Sequence, residues 1–225
     1  APALMAAHVG VAMGGRGTDV AREAASIVLL DDDFASVVRA IRMGRTIFAN
    51  LQRAARYIVA VHVPIAGLAL MPLVLGTPLI LLPLHVVFLE MVIDPACSIV
   101  LEREPPAPDL MRRPPRPAGT PLLELAMIIK SMLLGVSAFA LVLLVYLAAI
   151  RAGLPSPQPA ALAFSALVAC NVALVHWHQA AARSGSARRT NMAFWITLVV
   201  AFALLACLTL VPAPARWFGF VPVSL

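Results

Sequence analysis

Five runs of the chain are apolar for long enough, or nearly so, to cross a hydrocarbon layer: residues 57–75, 79–101, 122–150, 160–179 and 192–212. A spanning helix needs about 20 consecutive apolar residues, so these runs predict five transmembrane helices. A sixth run starts at Trp217. Ahead of the first run the pattern changes. Phe34, Val37, Val38, Ile41, Phe48 and Leu51 recur at helical spacing, with Arg39, Arg42, Arg45, Arg53 and Arg56 between them. No strong breaker separates this amphipathic stretch from the apolar run. One long helix is therefore predicted over 34–74, entering the membrane at about Arg53–Tyr57.

Only residues 1–33 have the mixed character of a soluble domain. "VGVAM" (9–13) and "SIVLL" (26–30) read as short strands, and "GGRGTDVAREAA" as a glycine turn and a helix capped near Thr18. "DDDF" (31–34) closes the segment with acids, which suit a helix N-terminus. The predicted fold is mostly α: a polytopic transmembrane helix bundle with a small α/β unit at its N-terminal end. Its parts are the α/β unit (1–33), a cytoplasmic stalk helix (34–56) and a transmembrane domain (57–225).

Composition agrees. The chain is 61% hydrophobic and 12% charged with a mean hydropathy of +0.92, far from the balance of a soluble domain. The net charge of +6 raises a nucleic-acid partner as a possibility. The arginines sit instead in short loops between apolar runs, which fits membrane orientation and lipid as the partner. Loop 102–121 holds Arg103, Arg112, Arg113 and Arg116, and loop 180–191 holds Arg183, Arg188 and Arg189. The opposite loops hold only Arg151 and Arg216, which places residues 1–56 and both arginine-rich loops in the cytoplasm. Cys97, Cys170 and Cys207 lie in apolar runs without metal-site or disulfide spacing and read as packing residues.

The candidate chemistry lies where polar residues interrupt apolar runs. In "FLEMVIDPACSIV" (88–100), Glu90 and Asp94 are four apart and share one face of a regular helix. Pro95 removes a backbone hydrogen bond and frees a carbonyl near position 91. Two carboxylates beside a loosened backbone form an oxygen-rich cation site, and intramembrane acids mark function by default. Packing hydrogen bonds to neighbouring helices are the structural alternative. His62 and Pro64 sit midway along the first span, where Pro64 again opens the backbone. His62 reads equally as a ligand, a proton carrier or a hydrogen-bonded structural group. Asn171 supplies an uncharged oxygen in the fourth span, with an interhelical hydrogen bond as its alternative. His85, His176 and His178 fall towards span ends and are expected at the membrane surface.

The N-terminal stretch, from "APALMAAHVGVAMGGRGTDVAREAASIVLLDDDF" into "RMGRTIFANLQRAARYIV", resembles the end of the phosphorylation domain of a P-type cation-transporting ATPase running into its fifth membrane helix. "LEREPPAPDLMRRPPRP" is similar to that family's loop between its sixth and seventh helices, and "FGFVPVSL" to the turn before its tenth. The type II branch, with calcium and sodium–potassium pumps, is the nearest pattern. The resemblance implies that residues 1–33 are a remnant of a HAD-like phosphorylation domain. It also implies that Asp94 matches an ion-binding aspartate. Glu90 and His62 stand where those pumps usually have asparagine, and Asn171 where the reticulum calcium pump has an acid. Ile65 and Ile93 replace polar residues of the family pattern. The site thus keeps two carboxylates but redistributes them.

The resemblance further implies ATP and Mg2+ as cofactors, a transported cation, and a bacterial plasma membrane as location. The "DKTGT" phosphorylation motif is absent from these residues. The chain is accordingly expected to be part of a longer pump, with its partner the N-terminal half, and to be inactive alone. Oxygen-rich ligands favour a hard, divalent cation over copper, and no Cys-Pro-Cys pair is present. The alternatives are a secondary transporter or channel that works without ATP, for which no internal repeat is visible, and a non-catalytic membrane fragment.

Overall fold

A computed structural model describes residues 1–117, 119–180 and 191–220. The chain divides into two compact units. The first is Ala1–Phe48 with Asp109–Arg113, and the second is Ala49–Pro108 with Pro114–Leu225. The boundary between Phe48 and Ala49 falls inside a helix.

In the first unit, α1 (Pro2–Ala6) precedes β1 (Val11–Met13), α2 (Asp19–Ala24) and β2 (Ile27–Leu29). The strands are parallel, with Val11 opposite Ile27 and Met13 opposite Leu29. The Thr18 hydroxyl accepts from the Ala21 amide at 3.2 Å and caps α2 as the sequence predicts. The glycine turn does not offer its amides to a phosphate. Asp32, held at φ 51°, accepts from the amides of Gly15 at 2.8 Å and Arg16 at 3.0 Å. Farther along, Arg45 donates to the carbonyls of Leu110 at 3.0 Å and Arg113 at 2.8 Å.

α3 (Ala35–Leu75) is a single helix of 41 residues, as the missing breaker predicts, and it continues through Pro64 and Pro72. At 1.5 Å per residue it is about 60 Å long. The second span starts at Pro83 rather than 79, because Pro83 takes the first helical turn, where its missing N–H costs nothing. This span has three parts: α4 (Pro83–Phe88), a π-helical turn (Leu89–Ile93) and α5 (Asp94–Glu102). α6 (Leu125–Arg151), α7 (Gln158–Ala180) and α8 (Met192–Leu210) complete five helices long and apolar enough to cross a membrane among the described residues. Beyond them, α9 (Pro212–Trp217) is short and ends at Trp217. Arg183, Arg188 and Arg189 of the second arginine-rich loop lie outside the described residues.

Within the second unit α6 runs along α7, and α5 packs on α7 and α8. Tyr57, Val61 and Leu68 of α3, Leu89, Cys97 and Val100 of the second span, and Phe164 and Leu167 of α7 are fully buried. Apolar side chains such as Leu133, Leu144 and Val199 stay exposed, on faces suited to lipid. Small residues let α3 and α6 approach closely: a Cβ on Gly135 would lie 2.4 Å from the Ala60 carbonyl oxygen and 2.7 Å from Val63 Cβ.

A buried polar group ties the middle of α3 to the C-terminal side of α5, and its Glu104 to the end of α7 and the start of α8. Asn50 Nδ2 donates to the carbonyls of Glu102 at 2.6 Å and Glu104 at 2.9 Å. Arg53 donates to Asn50 Oδ1. Glu104 Oε2 accepts from Gln179 at 3.1 Å and Asn191 at 3.0 Å.

Two histidines depart from the sequence reading. His85 is buried, not at a surface: Nδ1 accepts from the Leu82 amide at 3.1 Å and Nε2 donates to the Phe218 carbonyl at 2.7 Å. Its ring stacks on Phe218 and Phe220, so the segment after α9 covers it. His178 is also buried, and its Nε2 has no partner among the described residues. His176 remains exposed, against Phe194.

Candidate cation site

Glu90 lies inside the π-helical turn and Asp94 opens α5 directly after it. The wider turn redirects the backbone bonds. The Asp94 N–H reaches back five residues to the Leu89 carbonyl, and Pro95 has no N–H to give. The Glu90 carbonyl therefore receives a bond from neither residue. Beside the opening expected near position 91, the Glu90 carbonyl is thus released as well, at a kind of turn that recurs at functional sites. Pro64 acts differently. Its missing N–H frees the Ala60 carbonyl, and that oxygen faces Gly135 on α6.

α3 brings a third group to the acids. His62 Nε2 lies 3.5 Å from Glu90 Oε1. One ligand atom each from His62, Glu90 and Asp94 fall within 4.8 Å of one another. Ligands at about 2.3–2.6 Å from a common ion stand at most about 5 Å apart, so the three atoms are placed to share one. Two carboxylates beside one imidazole are net negative whether or not the ring is protonated. A cation between them relieves that repulsion. Glu90 and His62 keep partial access to solvent, at 40% and 51% side-chain exposure, whereas Asp94 Oδ2 is closed off and has no hydrogen-bond partner among the described residues.

Tyr57 completes the surroundings. It is fully buried, and its hydroxyl donates to Asp94 Oδ1 at 3.3 Å. Sequence reasoning treats Tyr57 as the residue where the first span begins. Its spacing from His62, five residues along one helix, does not put the two on one face, so the sequence carried no signal linking them. Ile65 and Ile93 are buried apolar residues of the same two spans. Asn171 is the remaining polar residue of the sequence prediction. It is fully buried on α7, and neither Oδ1 nor Nδ2 has a partner among the described residues.

Residues 78–225 match the family described as "Cation transporting ATPase, C-terminus". The chain belongs to the cation-transporting ATPases. Its similarity to individual members is consistent with this. It is 41% identical over 123 residues to the P-type sodium-transporting ATPase4 of Plasmodium falciparum, covering 55% of this chain and 10% of that protein. It is 40% identical over 116 residues to a calcium-transporting ATPase of Bacillus subtilis, covering 52% of this chain and 13% of that protein. A longer match, 30% over 168 residues, reaches calcium-transporting ATPase 1 of Yarrowia lipolytica, covering 75% of this chain and 18% of that protein. The chain thus spans roughly a tenth to a fifth of the length of these ATPases. It corresponds to the C-terminal membrane region of a P-type ATPase, in agreement with the resemblance carried by its motifs.

Proposed function

We propose that this chain is the ion-binding membrane region of an ATP-driven pump that moves a divalent cation across a membrane through a phosphoenzyme cycle. The observation that carries the reading is the convergence of His62, Glu90 and Asp94 from two spans, with an unpartnered carboxylate oxygen on Asp94. Asn171 is proposed as a further oxygen donor, on the strength of its burial without a partner. ATP and Mg2+ would act in cytoplasmic domains outside these residues, and the chain alone would not hydrolyse ATP. Residues 1–33 are read as the end of a HAD-like phosphorylation domain. With residues 1–56 and the loops 102–121 and 180–191 cytoplasmic, the natural setting is a bacterial plasma membrane.

The chain's own residues suggest how binding and movement connect. Tyr57 orients Asp94 through Oδ1, leaving Oδ2 for the ion. His62 and Tyr57 are carried on α3, and Glu90 and Asp94 on the second span. A shift or tilt of α3 therefore separates the imidazole and the phenol from both carboxylates at once, weakening the site. Because α3 is continuous from Ala35, a change imposed on its N-terminal turns has a stiff route to His62. The test is cation-stimulated ATPase activity of the intact protein containing this chain. Stimulation is expected to vanish in Glu90→Gln and Asp94→Asn. Undiminished stimulation by the same ion, at the same concentration, in an Asp94→Ala/Glu90→Ala double variant would overturn the reading.

A further inference from the structure

Building on the cation-site reading, we propose that the site selects a divalent first-row transition metal, such as Mn2+, Fe2+, Co2+ or Zn2+, over Ca2+, with His62 Nε2 as a direct ligand. The first support is the hydrogen bonding of His62. Its Nδ1 lies 2.8 Å from the Ile58 carbonyl oxygen. A carbonyl only accepts, so Nδ1 carries the hydrogen, and in the neutral ring the lone pair is on Nε2. That lone pair enters the space holding Glu90 Oε1, 3.5 Å away. Two acceptors facing each other are repulsive unless a proton or a metal ion lies between them. A ring whose far nitrogen is fixed by a backbone carbonyl is the usual arrangement of a metal-binding histidine.

The second support is the ligand count. Ca2+ takes about 6–8 oxygen ligands. Here one nitrogen joins two carboxylates, and Ile65 and Ile93, buried on the same spans, offer no donor atoms; with the Asn171 oxygen proposed above, that is three oxygen-bearing side chains and one nitrogen. Imidazole with carboxylates is a donor set for borderline metals, which accept lower coordination and bind nitrogen well. Na+ and K+ gain little from a nitrogen ligand, and a pair of carboxylates over-compensates a single charge.

The test uses the 225-residue chain in lipid nanodiscs at neutral pH. Co2+ binding is read from its visible ligand-field absorption and Mn2+ binding by paramagnetic resonance, each in competition with Ca2+. Co2+ and Mn2+ are expected to bind at least tenfold more tightly than Ca2+. His62→Asn should weaken both by at least tenfold and alter the Co2+ spectrum, while leaving Ca2+ affinity within about twofold. Because His62 is half exposed, the variant is expected to keep the wild-type circular dichroism. Glu90→Gln and Asp94→Asn should weaken every ion. Calcium bound as tightly as Co2+, or His62→Asn weakening all ions alike, overturns the selectivity proposal and leaves the cation site standing. If no ion responds to Glu90→Gln or Asp94→Asn, the cation-site reading itself falls.

Discussion

Gly135→Ala tests the close approach of α3 and α6 at Ala60 and Val63. The added methyl would sit 2.4 Å from the Ala60 carbonyl oxygen and 2.7 Å from Val63 Cβ, about 1 Å short of ordinary contact. Neither obstacle is the far end of a flexible side chain, so no rotamer change relieves it. The helices must part locally, at a cost of about 1–3 kcal/mol for overpacking a tight contact. The same substitution gains up to about 1 kcal/mol in helix propensity, so with the overpacking cost at the upper end of its range, for a contact this short with backbone, the net loss should be about 2 kcal/mol. Two companions set the scale. Gly44→Ala, in α3 with nothing within 4 Å of the new Cβ, should stabilise by about 0.5–1 kcal/mol. Gly67→Ala meets the Phe139 ring first, at 2.6 Å; that ring can turn, so the loss should be smaller than for Gly135. Thermal unfolding of the chain in detergent micelles, followed by circular dichroism, reads the order directly. A shift of about 2–4 °C per kcal/mol applies to chains of this size. If Gly135→Ala melts at or above the wild-type temperature, the crossing is not as tight as described and the argument fails.

Other outcomes follow from the same geometry. Tyr57→Phe removes the hydroxyl that donates to Asp94; at about 0.5–1.5 kcal/mol for one hydrogen bond, ion affinity measured by calorimetry should fall about two- to tenfold with little change in melting. Glu104→Ala removes the acceptor of Gln179 and of one Asn191 N–H, the Asn191 amide keeping its bond to the Val100 carbonyl, and at about 1–3 kcal/mol per buried donor it should lower the melting temperature far more than Glu104→Gln, which retains an acceptor. In the first unit, Ser36 donates to Asp31 and holds its carboxyl below the usual carboxylate range, aided by backbone amides and Arg39. Because that acidity is depressed on folding, its contribution is present above about pH 4 and is lost as pH falls through the lowered value; Ser36→Ala should move the Asp31 titration, followed by carboxyl NMR, upward.

Much of this was legible in the residues taken in order. Run length alone predicts the five spans, because a bilayer sets the number of apolar residues a helix needs. The lack of a breaker between Phe34 and Val74 predicts one long α3, and Thr18 predicts the start of α2. Glu90 and Asp94 announce themselves because charge in an apolar run demands a reason. What remained hidden depends on how helices are rotated and paired. In a membrane helix both the packed and the lipid-facing sides are apolar, so α8, for example, carries no periodic sign of which face meets its neighbours. The π-helical turn at Glu90, the Tyr57 hydroxyl on Asp94 and the burial of His85 under Phe218 all arise from register and contact. Residue type and spacing determined that two acids sit inside an apolar span; three-dimensional packing decided which groups approach them, since side chains separated by a helix turn or a whole span acquire a common distance only once the helices are in place.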